Sequence, residues 1–257
     1  MSINEPYPGT QAVMRALALL KSFTDEKPEL NLVELAQAVD LNKTTTFRLL
    51  TALESEGLIT RTSESDAYRL GPESIALGGR AIRANGLPKV SRPELETLAQ
   101  QTKETVTIEI LSGEQSLTLD EISGSYVVGV ARYIGTRWPL HATSTGKVLL
   151  AHLPPARLDS VLTAPLTAYT PHTITEMTAL RQELAQVREQ GYAIGNEELE
   201  IGFVAVGAPV RDHNSGVVAA IGVGGSSARL SQTVVFEMID LVMAAAQRIS
   251  EQLGYRE

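Results

Sequence analysis

Residues 31–58 read NLVELAQAVDLNKTTTFRLLTALESEGL, and their periodicity decides the fold of the amino-terminal part. Asn31 is suited to accept a backbone N–H as the N-cap of a helix, and Glu34, three residues on, makes a variant of the capping box. Leu32, Leu35, Ala36 and Val39 recur at helical spacing and form one apolar face. Asp40-Leu41-Asn42 breaks the rhythm, and Asn42 can cap a second helix starting at Lys43. Phe47, Leu50 and Leu53, with Leu49 beside them, are expected to bury that helix against the first. Gly57 ends it, as a glycine just past a helix does.

The start of the second helix is left offering Lys43, Thr44, Thr45, Thr46 and Arg48 to solvent, with no acid before Glu54. Free N–H groups, short hydroxyls and two cations at a helix N-terminus match what phosphates and major-groove base edges require. The pattern predicts a helix-turn-helix whose recognition helix spans 43–56. The alternative is an ordinary helical hairpin with a solvated threonine face. Residues 58–62 and 67–70 are β-prone and flank a polar turn, which predicts a hairpin directly after the recognition helix. Such a hairpin is a wing, from which Arg61 and Arg69 would face phosphates.

Working outward, QAVMRALALLKSF (11–23) reads as a first helix, with Val13, Leu17, Leu20 and the alanines inward. Residues 72–85 follow the wing as a helix opened by Pro72, with a stripe of Ile75, Leu77, Ala81 and Ile82. Residues 85–88, NGLP, end it. The expected organisation is therefore a winged helix-turn-helix domain over 10–71, a linker helix over 72–87 and a second domain over 88–257. In the second domain, 93–103 reads as a helix, and 106–111, 116–122 and 126–133 alternate as half-buried strands. Helices are expected at 143–153, 154–161 and 173–191, the last capped by Thr175 and stopped by Gly191. Strands at 192–194, 204–210 and 216–223 and a long helix at 231–253 complete an α+β domain.

A chain of 257 residues with 43% hydrophobic content has room for two cores. No apolar run approaches the ~20 residues of a membrane span, and the first ten residues lack a signal-peptide pattern, so a cytoplasmic protein without a membrane partner is expected. Having no cysteine, the chain has no disulfide, thiolate metal site or cysteine nucleophile. The net charge of −8 argues against indiscriminate nucleic-acid binding. Residues 1–71 hold seven Lys/Arg against ten Asp/Glu, so DNA binding must rest on local placement of cations and on several copies acting together.

Four motifs invite an enzymatic reading, and each falls short. Ser144-Thr145-Gly146-Lys147 resembles the end of a P-loop, but His141 stands where the first glycine belongs. Its helix start could still attract an anion. Gly222-Val223-Gly224-Gly225 lacks the third dinucleotide-motif glycine, which is Ser227. Asp120 and Glu121 are adjacent and point to opposite faces of a strand, a poor acid–base pair. Glu197-Glu198 in a loop reads as a packing or capping feature and not as a catalytic dyad. The four histidines, His141, His152, His172 and His213, have no ligand spacing, so no metal, cofactor or catalytic residue is assigned.

Three blocks together carry a resemblance. The first is LNKTTTFRLLTALESEGLI with the wing ending at Gly71, and the second is Pro139-Leu140-His141-Ala142-Thr143-Ser144-Thr145-Gly146-Lys147. The third runs from Asn196-Glu197-Glu198 through Gly202 and Ala208-Pro209-Val210 to Arg229. From Gln11 to Leu253 the chain resembles the IclR family of bacterial transcriptional regulators. The resemblance implies a carboxy-terminal effector-binding domain of GAF/profilin-like type, dimers that pair into tetramers, and palindromic operator DNA as partner. It also implies repression or activation in response to a small organic acid. Carried over residue by residue, the effector pocket would comprise Val128, Val130, Ser144, Thr145, Phe203, Ala205, Gly222 and Gly224. Members that hold small carboxylates often have acids or hydroxyls where this chain has Gly195, Gly222 and Gly224. The implied ligand is thus larger and more apolar than pyruvate or glyoxylate, an aromatic or medium-sized acid whose carboxylate meets Ser144 and Thr145, with Trp138 near enough to report on occupancy. Glycines that only let strands pack closely, leaving no cavity, are the alternative. Two other functions stay open: a DNA-binding protein without effector, and a winged helix fused to an enzyme.

Overall fold

Both asparagines act as the caps their positions suggest in the computed structural model, which describes residues 9–62, 65–126 and 134–256. Asn31 Oδ1 accepts from the N–H groups of Val33 and Glu34 at 2.8 and 3.1 Å, and Glu34 Oε2 accepts from the Asn31 N–H at 2.8 Å, a complete capping box. Asn42 Oδ1 accepts from Thr45 N–H at 2.8 Å. These caps open α2 (Leu32–Ala38) and α3 (Lys43–Ser55), which follow α1 (Gln11–Lys21) and a short strand β1 (Glu29–Leu30). Gly57 leaves α3 with φ +69°, a conformation that suits glycine.

The wing is the hairpin of β2 (Ile59–Arg61) and β3 (Tyr68–Leu70), and β1 pairs with β3 as a third strand. Strand β1 has only two residues, too few to show an alternation in sequence. Helix α4 (Pro72–Asn85) is tied to the wing root by Glu73 N–H to Gly57 O at 3.1 Å and Ser74 Oγ to Leu58 O at 2.7 Å.

Two helices are rotated from the expected phase. Thr46, not Phe47, faces the interior of α3: Thr46 is fully buried, while Phe47 is 47% exposed. Thr46 continues the stripe of Leu50 and Leu53 at i, i+4 and i+7, and its hydroxyl donates to Asn42 O at 3.0 Å, so its burial leaves no donor unpaired. In α1 the inward residues are Ala16, Leu19 and Leu20, with Phe23 just beyond its end, whereas Val13 and Leu17 are exposed. Both stripes fit a 3.6-residue period, and a helix apolar on most sides leaves the choice to packing.

The chain divides into two compact units, one ending at Asn85 and the other beginning at Gly86. The second opens with α5 (Leu87–Thr102), six residues earlier than the 93–103 helix expected, because the 85–88 break reduces to Gly86 at φ +75°. Pro88 occupies the helix's first turn, and Pro93 lies inside it. An antiparallel six-stranded sheet follows, in the order β6-β5-β4-β9-β8-β7. Its strands are β4 (Thr105–Ser112), β5 (Gln115–Ile122), β6 (Arg137–Pro139), β7 (Ala193–Asn196), β8 (Phe203–Arg211) and β9 (Val217–Ser226). The strand expected over 126–133 falls almost wholly outside the described residues; Tyr126 itself lies in a turn.

Both faces of this sheet are covered. Ile108, Val206, Ile221 and Val223 turn toward α5 and α9 (Gln232–Gln252), meeting Leu95, Leu98, Val242 and Ile249. Across the sheet lie α6 (Ser144–Ala151), α7 (Pro155–Val161) and α8 (Met177–Gln190), packed through Val148, Leu150, Leu158, Leu180 and Val187. Helix α8 starts at Met177 after Glu176, not at a Thr175 cap, and stops at Gly191 as expected. Thr173 is used in the loop before it, accepting from Tyr169 and Thr170 N–H and donating to Glu198 O at 2.6 Å.

Candidate functional site

Strand alternation and a glycine-lined wall together produce a cavity. In β4, Val106 and Ile108 go to the α5/α9 core, so Thr105, Thr107 and Glu109 face the other way. In β8 and β9 the same alternation turns Phe203 and Ala205, and Gly222 and Gly224, to that side. Helix α6 starts against this wall. A Cβ on Gly222 would lie 2.7 Å from Thr145 Cγ2, and one on Gly224 would lie 2.5 Å from Phe203 Cζ. The glycines therefore do permit close packing, yet a cavity of about 340 Å³ remains, inside the usual range for small-ligand pockets. Ser144, Thr145, Phe203, Ala205, Gly222 and Gly224 all line it, as do Trp138 and Gly195. Val128 and Val130 lie outside the described residues.

The sequence reading missed the acids of this cavity. Glu109 is 5% exposed and receives hydrogen bonds from Ser116 Oγ at 2.6 Å, Thr145 Oγ1 at 2.8 Å and Thr107 Oγ1 at 3.2 Å. Burial pushes its carboxyl above the ordinary range, and the three hydroxyls oppose that shift. Its signal was present in VTIEIL, where the polar face of the alternation would ordinarily meet water; a sheet covered on both sides turns that face into a pocket wall. Glu104, also lining the cavity, takes both nitrogens of a fork from Arg229 at 2.8 Å each, and Arg229 lies 4.8 Å over the Tyr126 ring.

Lys147 and Glu198, from the second and third sequence blocks, meet here. Lys147 is 1% exposed, and its Nζ donates to Glu198 Oε1 at 2.7 Å, Ile194 O at 2.7 Å and Glu183 Oε1 at 2.9 Å. All three ammonium hydrogens are engaged, so Lys147 is not placed to hold a phosphate as a P-loop lysine does. Glu198 in turn lines the cavity. Among the described residues no group of three His, Asp or Glu could hold a metal ion.

The candidate DNA-facing residues differ in exposure. Lys43, Thr44 and Arg48 are exposed on α3, and Thr45 is half-buried. Thr46 is buried and out of reach of DNA. Phe47 takes its place on the exposed face. Arg69 is exposed on β3. Arg61 is held at the wing, 2.7 Å from the Tyr68 hydroxyl and 3.3 Å from Asp66, which weakens its claim to a phosphate.

Two family models match the chain, an IclR helix-turn-helix domain over residues 12–63 and the carboxy-terminal domain of bacterial IclR transcriptional regulators over 79–251. The chain belongs to the IclR family. Its curated relatives include the HTH-type transcriptional regulator XynR of Escherichia coli, 33% identical over 96% of this chain and 99% of the relative. BhcR of Paracoccus denitrificans is 34% identical over 97% of this chain and 89% of its own. Among solved structures, an IclR homologue from Microbacterium hydrocarbonoxydans in complex with 4-hydroxybenzoate superposes with a TM-score of 0.84 at 26% identity, covering 95% of this chain and 99% of that one. These relatives are transcriptional regulators, and no enzymatic family is indicated. Among the described residues no helix is long and apolar enough to cross a membrane.

Proposed function

We propose that this IclR-family regulator binds palindromic operator DNA as a dimer or tetramer and that a small organic acid, aromatic acids included, modulates that binding. The winged unit over 10–71 would engage DNA, the helix over 72–87 would link, and residues 88–257 would hold the effector and assemble the oligomer. The observation that carries the reading is the 340 Å³ cavity at the start of α6, walled by Trp138 and Phe203 and opened by glycines. A structural neighbour with 4-hydroxybenzoate bound supports an aromatic acid as ligand class.

The carboxylate would meet the N–H groups of Ser144 and Thr145 and the Ser144 hydroxyl, the Thr145 hydroxyl donating instead to Glu109. Glu109 fixes the start of α6 beside that carboxylate by accepting from the Thr145 hydroxyl at 2.8 Å. On the DNA side, Lys43, Thr44, Thr45, Phe47 and Arg48 would enter the groove, with Arg69 and, less directly, Arg61 on the backbone. If Arg48 reads a guanine, Arg48→Ala should cost about 1–3 kcal/mol and relax one base pair of the operator. Lys43→Ala should weaken all sequences alike and flatten the salt dependence. Anisotropy titrations of folded variants showing unchanged operator affinity for both would reject this assignment.

A further inference from the structure

Two carboxyl groups bordering the cavity keep acceptor capacity that the fold does not use. Glu198 is 7% exposed; its Oε1 is bound to Lys147, but its Oε2 is buried without a hydrogen-bond partner among the described residues. Native interiors rarely leave such an atom unpaired. Glu109 Oε2 takes two short hydrogen bonds, from Ser116 and Thr145, while its Oε1 has only the 3.2 Å contact from Thr107. No basic side chain among the described residues pairs with Glu109. The nearest cations of the site are committed, Lys147 to Glu198, Glu183 and Ile194 O, and Arg229 to both oxygens of Glu104.

We propose that Glu198 Oε2 and Glu109 Oε1 accept hydrogen bonds from the effector, which is therefore an acid carrying hydroxyl or amino hydrogens besides its carboxylate. An unsubstituted acid would fill the cavity and leave both oxygens without a donor. A site built to bind a donor discriminates strongly against the analogue that lacks it, because its own polar atoms are then stranded. The inference rests on the cavity being the effector site.

Matched acids test it on the full-length protein: benzoate against 4-hydroxybenzoate and 4-aminobenzoate, and propionate against glycerate. Calorimetry gives affinity, and the single tryptophan, Trp138, reports occupancy of this cavity. The donor-bearing member of at least one set should bind at least about tenfold tighter than its parent, and the hydroxyl and amino arms show which donor is read. Glu198→Gln sharpens the result. Its amide oxygen must face the Lys147 ammonium, so an NH₂ group takes the place of Oε2 and the preference for donor-bearing acids should vanish or reverse. Glu109→Gln, which keeps the side chain's shape, should narrow it. Parents that bind as tightly as their substituted partners overturn the inference and leave the effector site standing. A panel in which no acid binds or perturbs Trp138 overturns the effector site as well.

Discussion

Removing the Lys147 ammonium would leave the carboxylates of Glu198 and Glu183 converging with the Ile194 carbonyl around an empty centre. Breaking a buried charge pair on one side costs about 3–5 kcal/mol, so Lys147→Met should lower the urea-unfolding free energy by about that amount. A loss below about 1 kcal/mol would show that the cluster is better solvated than its burial implies. Glu109 supplies a pH test. An acid whose native pKa exceeds its unfolded value binds more protons when folded, so it favours folding below the ordinary carboxylate range, and that contribution is lost as pH rises through the native value. Glu109→Gln should therefore gain stability relative to wild type as pH rises from about 4 to about 8; a difference that is flat across thermal melts at those pH values contradicts the assignment. At this scale the sequence was readable where a residue acts locally, as the Asn31 and Asn42 caps do. It was unreadable where partners lie far along the chain. Lys147 meets Glu198 across 51 residues, and Glu109 meets Thr145 across 36.

Helices α1 and α3 were legible in kind and misjudged in phase. Thr46 and Phe47 illustrate why: with apolar residues on both sides of the seam, one step along a helix, about 100°, exchanges the buried and exposed faces. The correction is testable. Phe47→Ala should change stability by less than about 1 kcal/mol, unlike the 3–5 kcal/mol of a core phenylalanine, while weakening operator binding. A large loss of stability in denaturant melts would return Phe47 to the core. The capping box makes a second test, since Asn31→Ala should destabilise the winged unit by about 1 kcal/mol. Strand β4 shows the other limit. Its alternation was visible, but whether its polar face meets water or a cavity depends on α6, which only the tertiary structure brings there.

At the scale of the whole molecule, three sequence blocks sufficed for the family, and the two units and the cavity give that family's parts a physical role. The amino-terminal part is net acidic, seven cations against ten anions over residues 1–71, so one copy should bind DNA weakly. A folded fragment ending at Asn85 should lose most of the affinity of the full chain at equal salt, and equal affinity would reject the oligomeric mechanism. Gly222→Leu should fill the cavity beside Thr145 and remove the effector response, and its tight contact there predicts some loss of stability too. Coupling between occupancy of the cavity and DNA binding is what the proposed function requires. It is tested most directly by anisotropy of labelled DNA from the region flanking the gene, titrated with full-length protein with and without a ligand whose binding saturates the Trp138 signal. At saturation the operator affinity should change by about 5–150-fold. Superimposable titration curves with the cavity demonstrably full would contradict it.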